Sequence, residues 1–315
     1  MLTALFSFLA VLPVFALVLA GYLAGRLHIL EAYSSESLNR FVVWLALPAM
    51  LFQTVALADW ADLWQPGFIA AFGLSGIVVL LLAIGVAWRT HGRLIDAAIE
   101  GLNAGYPNVG YMGFPIVISL LGAGALLLPT IATMMTMCVF FAIAIVLAEI
   151  GQHAGGGFLR VLRKVAGSLI RHPLIVAPLA GVPFAWSDTS LPAQLTQFLG
   201  LLSAAAAPCA LVALGLFLAR KREQPTGERG TSIVFLLACK LLLQPLLAWY
   251  LAARVFDLDA TQVQAVVLLA ALPAGTGSFM LADYYKRDGR VSAQVIFWST
   301  LASVGTLSAI MVLLR

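Results

Sequence analysis

The sequence predicts an all-α membrane protein with ten transmembrane helices, arranged as two inverted repeats of five helices each. Three observations predict this fold. Of the 315 residues, 62% are hydrophobic and only 10% are charged, whereas a soluble domain carries about 25% charged residues. Apolar stretches long enough to cross a bilayer recur along the whole chain. The basic residues fall almost entirely into alternate loops between those stretches.

The predicted spans are stretches that contain almost no Asp, Glu, Lys or Arg. A helix needs about 20 apolar residues to cross the hydrocarbon layer. The interval 101–148 is long enough for two spans, with a turn predicted at Gly122 to Gly124, and span 8 is unusual because it contains Lys240. The ten spans are 1–25, 41–58, 63–88, two within 101–148, 172–187, 189–219, 230–253, 260–282 and 291–314.

The loops on the two sides of the predicted membrane differ sharply in charge. One set of alternate loops carries 15 of the 18 basic residues, and the other set carries only Arg254. Because basic loops stay in the cytoplasm, this bias predicts that both termini lie on the non-cytoplasmic side. The first repeat is then 1–150, the second is 172–315, and 151–171 is a short cytoplasmic connector. Five spans per half make the two halves inverted, as in many secondary transporters.

Span 4 contains several helix-breaking residues where the middle of the membrane is expected. Pro107 has no backbone N–H to donate, and Gly105, Gly110 and Gly113 loosen the backbone further. Inside a bilayer, freed backbone groups are tolerated only where they line a cavity or are buried in protein. We therefore expect span 4 to be discontinuous, with a functional break.

Span 9 repeats this pattern at the corresponding position of the second half. Pro273, Gly275 and Gly277 predict another break, and Thr276 and Ser278 supply hydroxyl groups beside it. Interrupted spans at matching positions of two repeats are the best sequence indication of a transporter's binding site. The alternative is that both spans are proline-kinked helices whose glycines serve packing.

Both breaks favour an anionic ligand. The half-helix after each break begins with free N–H groups and the positive end of a helix dipole. No acidic residue lies at either break, which disfavours a sodium site built from carboxylates, although backbone carbonyls can also serve. The predicted substrate-binding residues are Pro107, Asn108, Gly110, Tyr111, Pro273, Gly275, Thr276 and Ser278.

Lys240 is the only charged residue deep within a predicted span, and ionisable residues in such places are functional candidates. Three roles remain open for it. It can attract the substrate anion, it can pair with Asp283 or Glu149 in a structural or proton-linked pair, or it can extend to the cytoplasmic surface. Asp283 and Glu149 end spans 9 and 5, where the alternative role is that of an interfacial charge at a helix end.

The sequence gives no indication of an enzyme, a cofactor or a metal centre. It contains no Gly-x-x-x-x-Gly-Lys-Ser/Thr loop for nucleotide phosphates, and no nucleophile–base pair stands out. The three cysteines lie in apolar spans and are typical of small buried side chains. A net charge of +4 without a basic arm gives no indication of nucleic-acid binding.

Three stretches, 39–52 in span 2, 107–115 in span 4 and 270–285 in span 9, carry a family resemblance. They resemble the auxin efflux carrier family, which includes the plant PIN carriers and bacterial malonate or malate permease-like proteins. The resemblance implies a scaffold of spans 1, 2, 6 and 7, often dimeric, and a moving bundle of spans 3–5 and 8–10. Spans 4 and 9 would cross in that bundle, and Pro107, Asn108 and Pro273 match the crossing positions. Substrates would be small carboxylates, moved by an elevator-type mechanism.

Departures from the plant pattern disfavour auxin as the substrate. Ala274 stands where plant members carry a polar residue, Asp283 stands where they carry a basic one, and the long hydrophilic loop of many plant members is absent. These features fit a bacterial member in the cytoplasmic membrane. The leading hypothesis is a homodimeric secondary transporter of mono- or dicarboxylates, with proton or sodium coupling left open. The alternatives are a potential-driven uniporter or channel for organic anions and a membrane sensor that binds the same ligand.

Overall fold

In the computed structural model of the protein, most of the residues that it describes lie in helices. Those residues are 16–31, 33–57, 63–125, 127–153, 170–187, 191–219 and 233–313, with 13, 163, 166 and 167 as isolated positions. Within these ranges no residue belongs to a β-strand. The predicted all-α class is therefore confirmed for the described part of the chain.

The helices are numbered in chain order, and π-helical turns are included where they continue a helix. They are α1 (Ala16–Arg26), α2 (Ser34–Ala56), α3 (Pro66–His91), α4 (Leu94–Gly105), α5 (Phe114–Leu121), α6 (Leu127–Gln152), α7 (Pro173–Trp186), α8 (Ala193–Ala219), α9 (Ile233–Val255), α10 (Ala260–Ala270), α11 (Gly277–Tyr284) and α12 (Arg290–Leu313). A π-helical turn, Val109–Gly113, leads directly into α5.

Six helices of the described chain are long and apolar enough to cross a membrane, namely α2, α3, α6, α8, α9 and α12. They coincide with predicted spans 2, 3, 5, 7, 8 and 10. Spans 1 and 6 fall on the shorter helices α1 and α7, and most of span 1 before α1 lies outside the described residues. Spans 4 and 9 fall on the interrupted pairs α4–α5 and α10–α11.

Helix α3 shows how these helices divide their surface between protein and lipid. Leu74, Val78 and Leu81 recur at helical spacing and are 43%, 49% and 49% exposed. Leu80 and Ala83, on the other side of the same helix, are fully buried. An exposed apolar stripe with no charge on it is suited to hydrocarbon rather than to water.

Several helix ends follow directly from local sequence. Helix α3 begins at Pro66, whose missing N–H costs nothing in the first turn. It ends at Gly92, which has a φ of +69° and caps the helix through an N–H bond to the Trp88 carbonyl. Gly122 ends α5 with a φ of +85°, and this confirms the turn predicted between spans 4 and 5.

The close approach of α3 and α4 fixes the position of the first break. A Cβ atom on Gly105 would lie 2.8 Å from the Gly76 carbonyl oxygen and 2.6 Å from the Leu80 Cβ. The two helices can touch only because Gly105 has no side chain, as is common where membrane helices pack tightly. Helix α3 also packs on α9 and α10, and α4 packs on α6. Helix α2 packs mainly on α7 and α8, and its first turns contact α11.

Candidate binding site at the crossing of two broken helices

Both predicted interruptions are present, and they lie against each other. The segments that follow α4 and α10 pair in an isolated antiparallel bridge between Pro107 and Ala274. The Asn108 N–H donates to the Pro273 carbonyl at 2.8 Å, and the Gly275 N–H donates to the Tyr106 carbonyl at 2.9 Å. Each break therefore satisfies backbone groups of the other, which explains how two proline-containing breaks persist in a buried environment.

Helix α12 supplies one more partner to the crossing. The Ala274 N–H donates to the Ser299 hydroxyl oxygen at 3.0 Å, and Ser299 is fully buried. Sequence reasoning missed Ser299 because span 10 contains no proline and no charged residue in its middle. The available signal was a polar stripe on α12, where Ser292, Ser299 and Ser303 recur at helical spacing.

Helix α9 caps the C-terminal ends of both half-helices that lead into the crossing. The Lys240 Nζ donates to the Ala270 carbonyl at 2.7 Å and to the Gln244 Oε1 at 2.6 Å. The Gln244 Nε2 donates to the Gly105 carbonyl at 3.3 Å. Lys240 and Gln244 are both fully buried. One turn of α9 thus supplies donors to the last carbonyls of α4 and α10, which helix geometry leaves without partners.

The two half-helices that follow the crossing present their N-terminal ends to it. The π-helical turn before α5 begins at Val109, and α11 begins at Gly277 with Thr276 before it. The first N–H groups of a helix have no partner within the helix and carry partial positive charge. Lys240 and Gln244 supply donors to carbonyls at the opposite, negative ends of α10 and α4.

The predicted polar side chains are buried around this point. Asn108 is 5% exposed, Thr276 is 2% exposed and Ser278 is fully buried. The Ser278 hydroxyl has no hydrogen-bond partner within the described part of the chain, which is unusual for a buried polar group. The structure describes the backbone of Tyr111 but not its side-chain environment.

The glycines of the crossing make room for aromatic rings. A Cβ atom on Gly275 would lie 2.4 Å from the Tyr106 ring, and one on Gly277 would lie 2.5 Å from the Phe141 ring. These two rings pack together with their centroids 5.7 Å apart. Gly110 is constrained in a similar way, because its Cβ would lie 2.6 Å from the Met137 Cε. The glycines therefore serve packing as well as the break itself.

Comparison with known proteins identifies the family. A family model described as "Membrane transport protein" matches residues 6–311. A protein of Rhizobium meliloti (strain 1021) named "Putative malonate transporter" is 32% identical over 311 residues, covering 97% of this chain and 95% of that protein. The chain belongs to the auxin efflux carrier family. The carrier is therefore a multi-pass membrane transport protein, as its long apolar helices also indicate.

Other relatives of this carrier are more distant but cover most of both chains. "Uncharacterized transporter YfdV" of Escherichia coli (strain K12) is 26% identical over 297 residues, covering 90% of this chain and 91% of that protein. "Auxin efflux carrier component 8" of Arabidopsis thaliana is 23% identical over 353 residues, covering 95% of each. The family is one of transporters, so the chemistry of the crossing is best interpreted as binding rather than catalysis.

The two acids considered as partners for Lys240 lie elsewhere in the carrier. The Asp283 Oδ2 accepts a hydrogen bond from the Asn39 Nδ2 at 2.7 Å. The Glu149 Oε1 accepts a hydrogen bond from the Tyr285 hydroxyl at 2.6 Å, and Glu149 is only 2% exposed. Lys240 reaches neither acid, nor does it extend to the surface, because it is fully buried against α10.

Helix α4 carries a second polar feature that sequence reasoning missed. Asp96, Glu100 and Asn103 lie on one face of α4, at positions separated by four and three residues. Asp96 accepts two hydrogen bonds from Arg287, at 2.6 Å from Nε and 2.5 Å from Nη2. The Asn103 Nδ2 donates to the Ser292 hydroxyl at 3.2 Å. Glu100 is 5% exposed, so a buried carboxyl group precedes the first break by little more than one turn.

Proposed function

We propose that this carrier is a secondary transporter of small organic anions, namely mono- or dicarboxylates such as malonate or malate. The observation that carries the proposal is the charge arrangement at the crossing. Two helix N-terminal ends meet there, and the opposing C-terminal ends are capped by Lys240 and Gln244. Half-helix N-terminal ends are used in this way to hold anionic substrate groups in other transporters. The name of the Rhizobium meliloti relative supports malonate as the first substrate to test.

The roles of the proposed site residues follow from their backbone and side-chain chemistry. The prolines hold the two breaks open, and the glycines let the chain approach its neighbours closely. The Asn108 amide and the Thr276 and Ser278 hydroxyls offer donors to carboxylate oxygens. The full proposed set is Pro107, Asn108, Gly110, Tyr111, Pro273, Gly275, Thr276 and Ser278.

The proposed architecture has ten spans in two inverted repeats, 1–150 and 172–315, joined by a cytoplasmic connector at 151–171. Both termini then lie on the non-cytoplasmic side of a bacterial cytoplasmic membrane. We propose an elevator-type movement in which the bundle of α3–α6 and α9–α12 slides against a scaffold of α1, α2, α7 and α8. The extensive packing of α2 on α7 and α8, and of α3 on α4 and α9, supports this division, with α2 touching the proposed bundle at α11. The scaffold is also the proposed homodimer surface.

The first test is a thermal-shift measurement on the detergent-purified carrier with malonate, malate, acetate and indole-3-acetate. A ligand present at 100 times its Kd stabilises the folded state by about 2.7 kcal/mol, which for a chain of 315 residues corresponds to a melting-temperature rise of roughly 4 °C. We expect malonate or malate to raise the melting temperature, and Asn108→Ala and Ser278→Ala to abolish that rise. Ser308→Ala, the same change on α12, is the control and should keep the full shift, because Ser308 bonds within its own helix.

Flux measurements in proteoliposomes then separate a carrier from the other classes of protein. A carrier shows saturable malonate uptake and counter-exchange, whereas a channel shows neither and a sensor shows binding without flux. A malonate shift that survives in Asn108→Ala and Ser278→Ala would place the anion site away from the crossing.

A further inference from the structure

The Lys240 ammonium group lies where a broken-helix transporter would be expected to hold a positive ion. Its Nζ donates to the Ala270 carbonyl, the last residue of α10, and to the Gln244 side-chain oxygen. The side chain is fully buried. Among the residues that the structure describes, no carboxylate lies within ion-pair distance of it. Carbonyl oxygens and the helix end are therefore its main counter-charge.

Two physical facts make this position a cation site. The C-terminal end of a helix carries roughly half a negative charge, because its last carbonyls have no partners within the helix. In transporters with discontinuous helices, these C-terminal ends and unwound carbonyls coordinate the coupling sodium ion or proton. A lysine ammonium group is a compact charge with three donors and no acceptor, so it can replace such an ion.

We propose that Lys240 is the built-in cation of the crossing and fills the position that a coupling metal ion would otherwise occupy. Anion transport by this chain then requires no alkali cation. Gln244 caps the other half-helix end with a neutral amide at 3.3 Å and accepts from the Lys240 Nζ at 2.6 Å, so the ammonium group reaches the second break only through Gln244. The statement about transport rests on the proposed function, whereas the statement about the cation site concerns the folded protein alone.

The shape of the side chain provides a specific test of the cation site. Lys240→Ala removes Cγ, Cδ, Cε and Nζ, and these four heavy atoms are the same in number and connectivity as n-propylammonium. The variant should therefore contain a buried space that this ion can fill while it donates to the Ala270 carbonyl. Tetramethylammonium carries the same charge but has no N–H group, so it cannot make that bond.

The experiment measures melting temperatures of the full-length carrier in detergent. Lys240→Ala leaves two buried acceptors unpaired, and we expect its melting temperature to fall by about 5 °C or more. Added n-propylammonium should restore most of that loss with saturation, and tetramethylammonium should not. Lys286→Ala is the control, because Lys286 is exposed, and it should respond to neither ion. Lys240→Arg keeps the charge and should lose less stability than Lys240→Ala.

A second measurement uses the wild-type carrier, so it does not require that any variant fold. Its melting temperature and its malonate flux should be the same in sodium, potassium and choline chloride. A saturable rise of either quantity with sodium would overturn the proposal, as would a folded Lys240→Ala variant that is indifferent to n-propylammonium. If malonate is neither bound nor moved in any salt, the proposed substrate fails, while the melting temperatures still decide the role of Lys240.

Discussion

Asn39 donates from its Nδ2 to the Asp283 Oδ2 at 2.7 Å and joins two helices that lie 244 residues apart in the sequence. The same Nδ2 lies 3.3 Å from the Met280 carbonyl oxygen, so Asn39 binds both the side chain and the backbone of the last turns of α11. Asn39 is on α2, in the proposed scaffold, and Asp283 is on α11, in the proposed moving bundle. This hydrogen bond therefore links the two groups of helices at one end of the broken span 9.

An exchange of these two residues tests the link. Asn39→Asp places two carboxylates where a donor and an acceptor now meet, and we expect a loss of about 1–3 kcal/mol in the free energy of unfolding. Adding Asp283→Asn restores one donor and one acceptor in swapped positions, so most of the loss should be recovered. Melting temperatures of the two single variants and the double variant measure this. Equal instability of the double variant and Asn39→Asp would contradict the link.

Gly275→Ala tests whether the crossing tolerates a side chain. The new methyl group would meet the Tyr106 ring at 2.4 Å, and overpacking of this kind costs about 1–3 kcal/mol. We expect a lower melting temperature and at least a tenfold higher Kd for malonate in the thermal-shift measurement. Gly305→Ala on α12 is the control, because nothing lies within 4 Å of its Cβ position, and it should be neutral or slightly stabilising. Similar behaviour of the two variants would mean that Gly275 has no packing role.

The two breaks were predictable because they depend on local chemistry. Pro107 and Pro273 cannot donate to a helix, and the surrounding glycines reveal where each half-helix stops. The long apolar helices were predictable for a similar reason, since hydrophobic length alone marks them. The turn at Gly122 followed from two glycines in an uninterrupted apolar stretch.

The partners of the breaks were not predictable from one sequence. Lys240 was recognisable as unusual, yet its contact with the Ala270 carbonyl depends on how α9 packs beside α10. Ser299 looks like an ordinary membrane-helix serine until the Ala274 N–H is placed beside it. Glu100 was missed because the fourth span was taken to begin one residue later, although its spacing from Asp96 and Asn103 indicates a polar helix face.

Ser299→Ala tests the support that α12 gives to the crossing. The change removes the acceptor of the Ala274 N–H and leaves that group buried without its partner, at a cost of about 1–3 kcal/mol. We expect a lower melting temperature together with a weaker malonate shift, because Ala274 lies beside the proposed site. Ser308→Ala again provides the matched control. A normal melting temperature in Ser299→Ala would show that the Ala274 N–H finds another acceptor.

The Arg287–Asp96 ion pair offers a prediction about the polar face of α4. Arg287 donates to both carboxylate oxygens of Asp96, and the two side chains are 27% and 18% exposed. Partial exposure limits the pair to a coupling energy of about 0.5–1 kcal/mol, despite its two-point geometry. A double-mutant cycle with Arg287→Met and Asp96→Asn measures this energy as the non-additive part of the change in unfolding free energy.

Salt dependence distinguishes this pair from the more exposed pair of Arg290 and Asp288, in which the aspartate side chain is 47% exposed. Raising the potassium chloride concentration from 0.1 to about 1 M shortens the screening length from about 10 to 3 Å. The coupling of Arg290 with Asp288 should then vanish, because the Asp288 carboxylate is much more exposed than that of Asp96. The coupling of Arg287 with Asp96 should keep about half of its value, since two direct hydrogen bonds remain. If both couplings vanish together, Asp96 and Arg287 contribute only screened surface charge, and the polar face of α4 is held by Asn103 and Ser292.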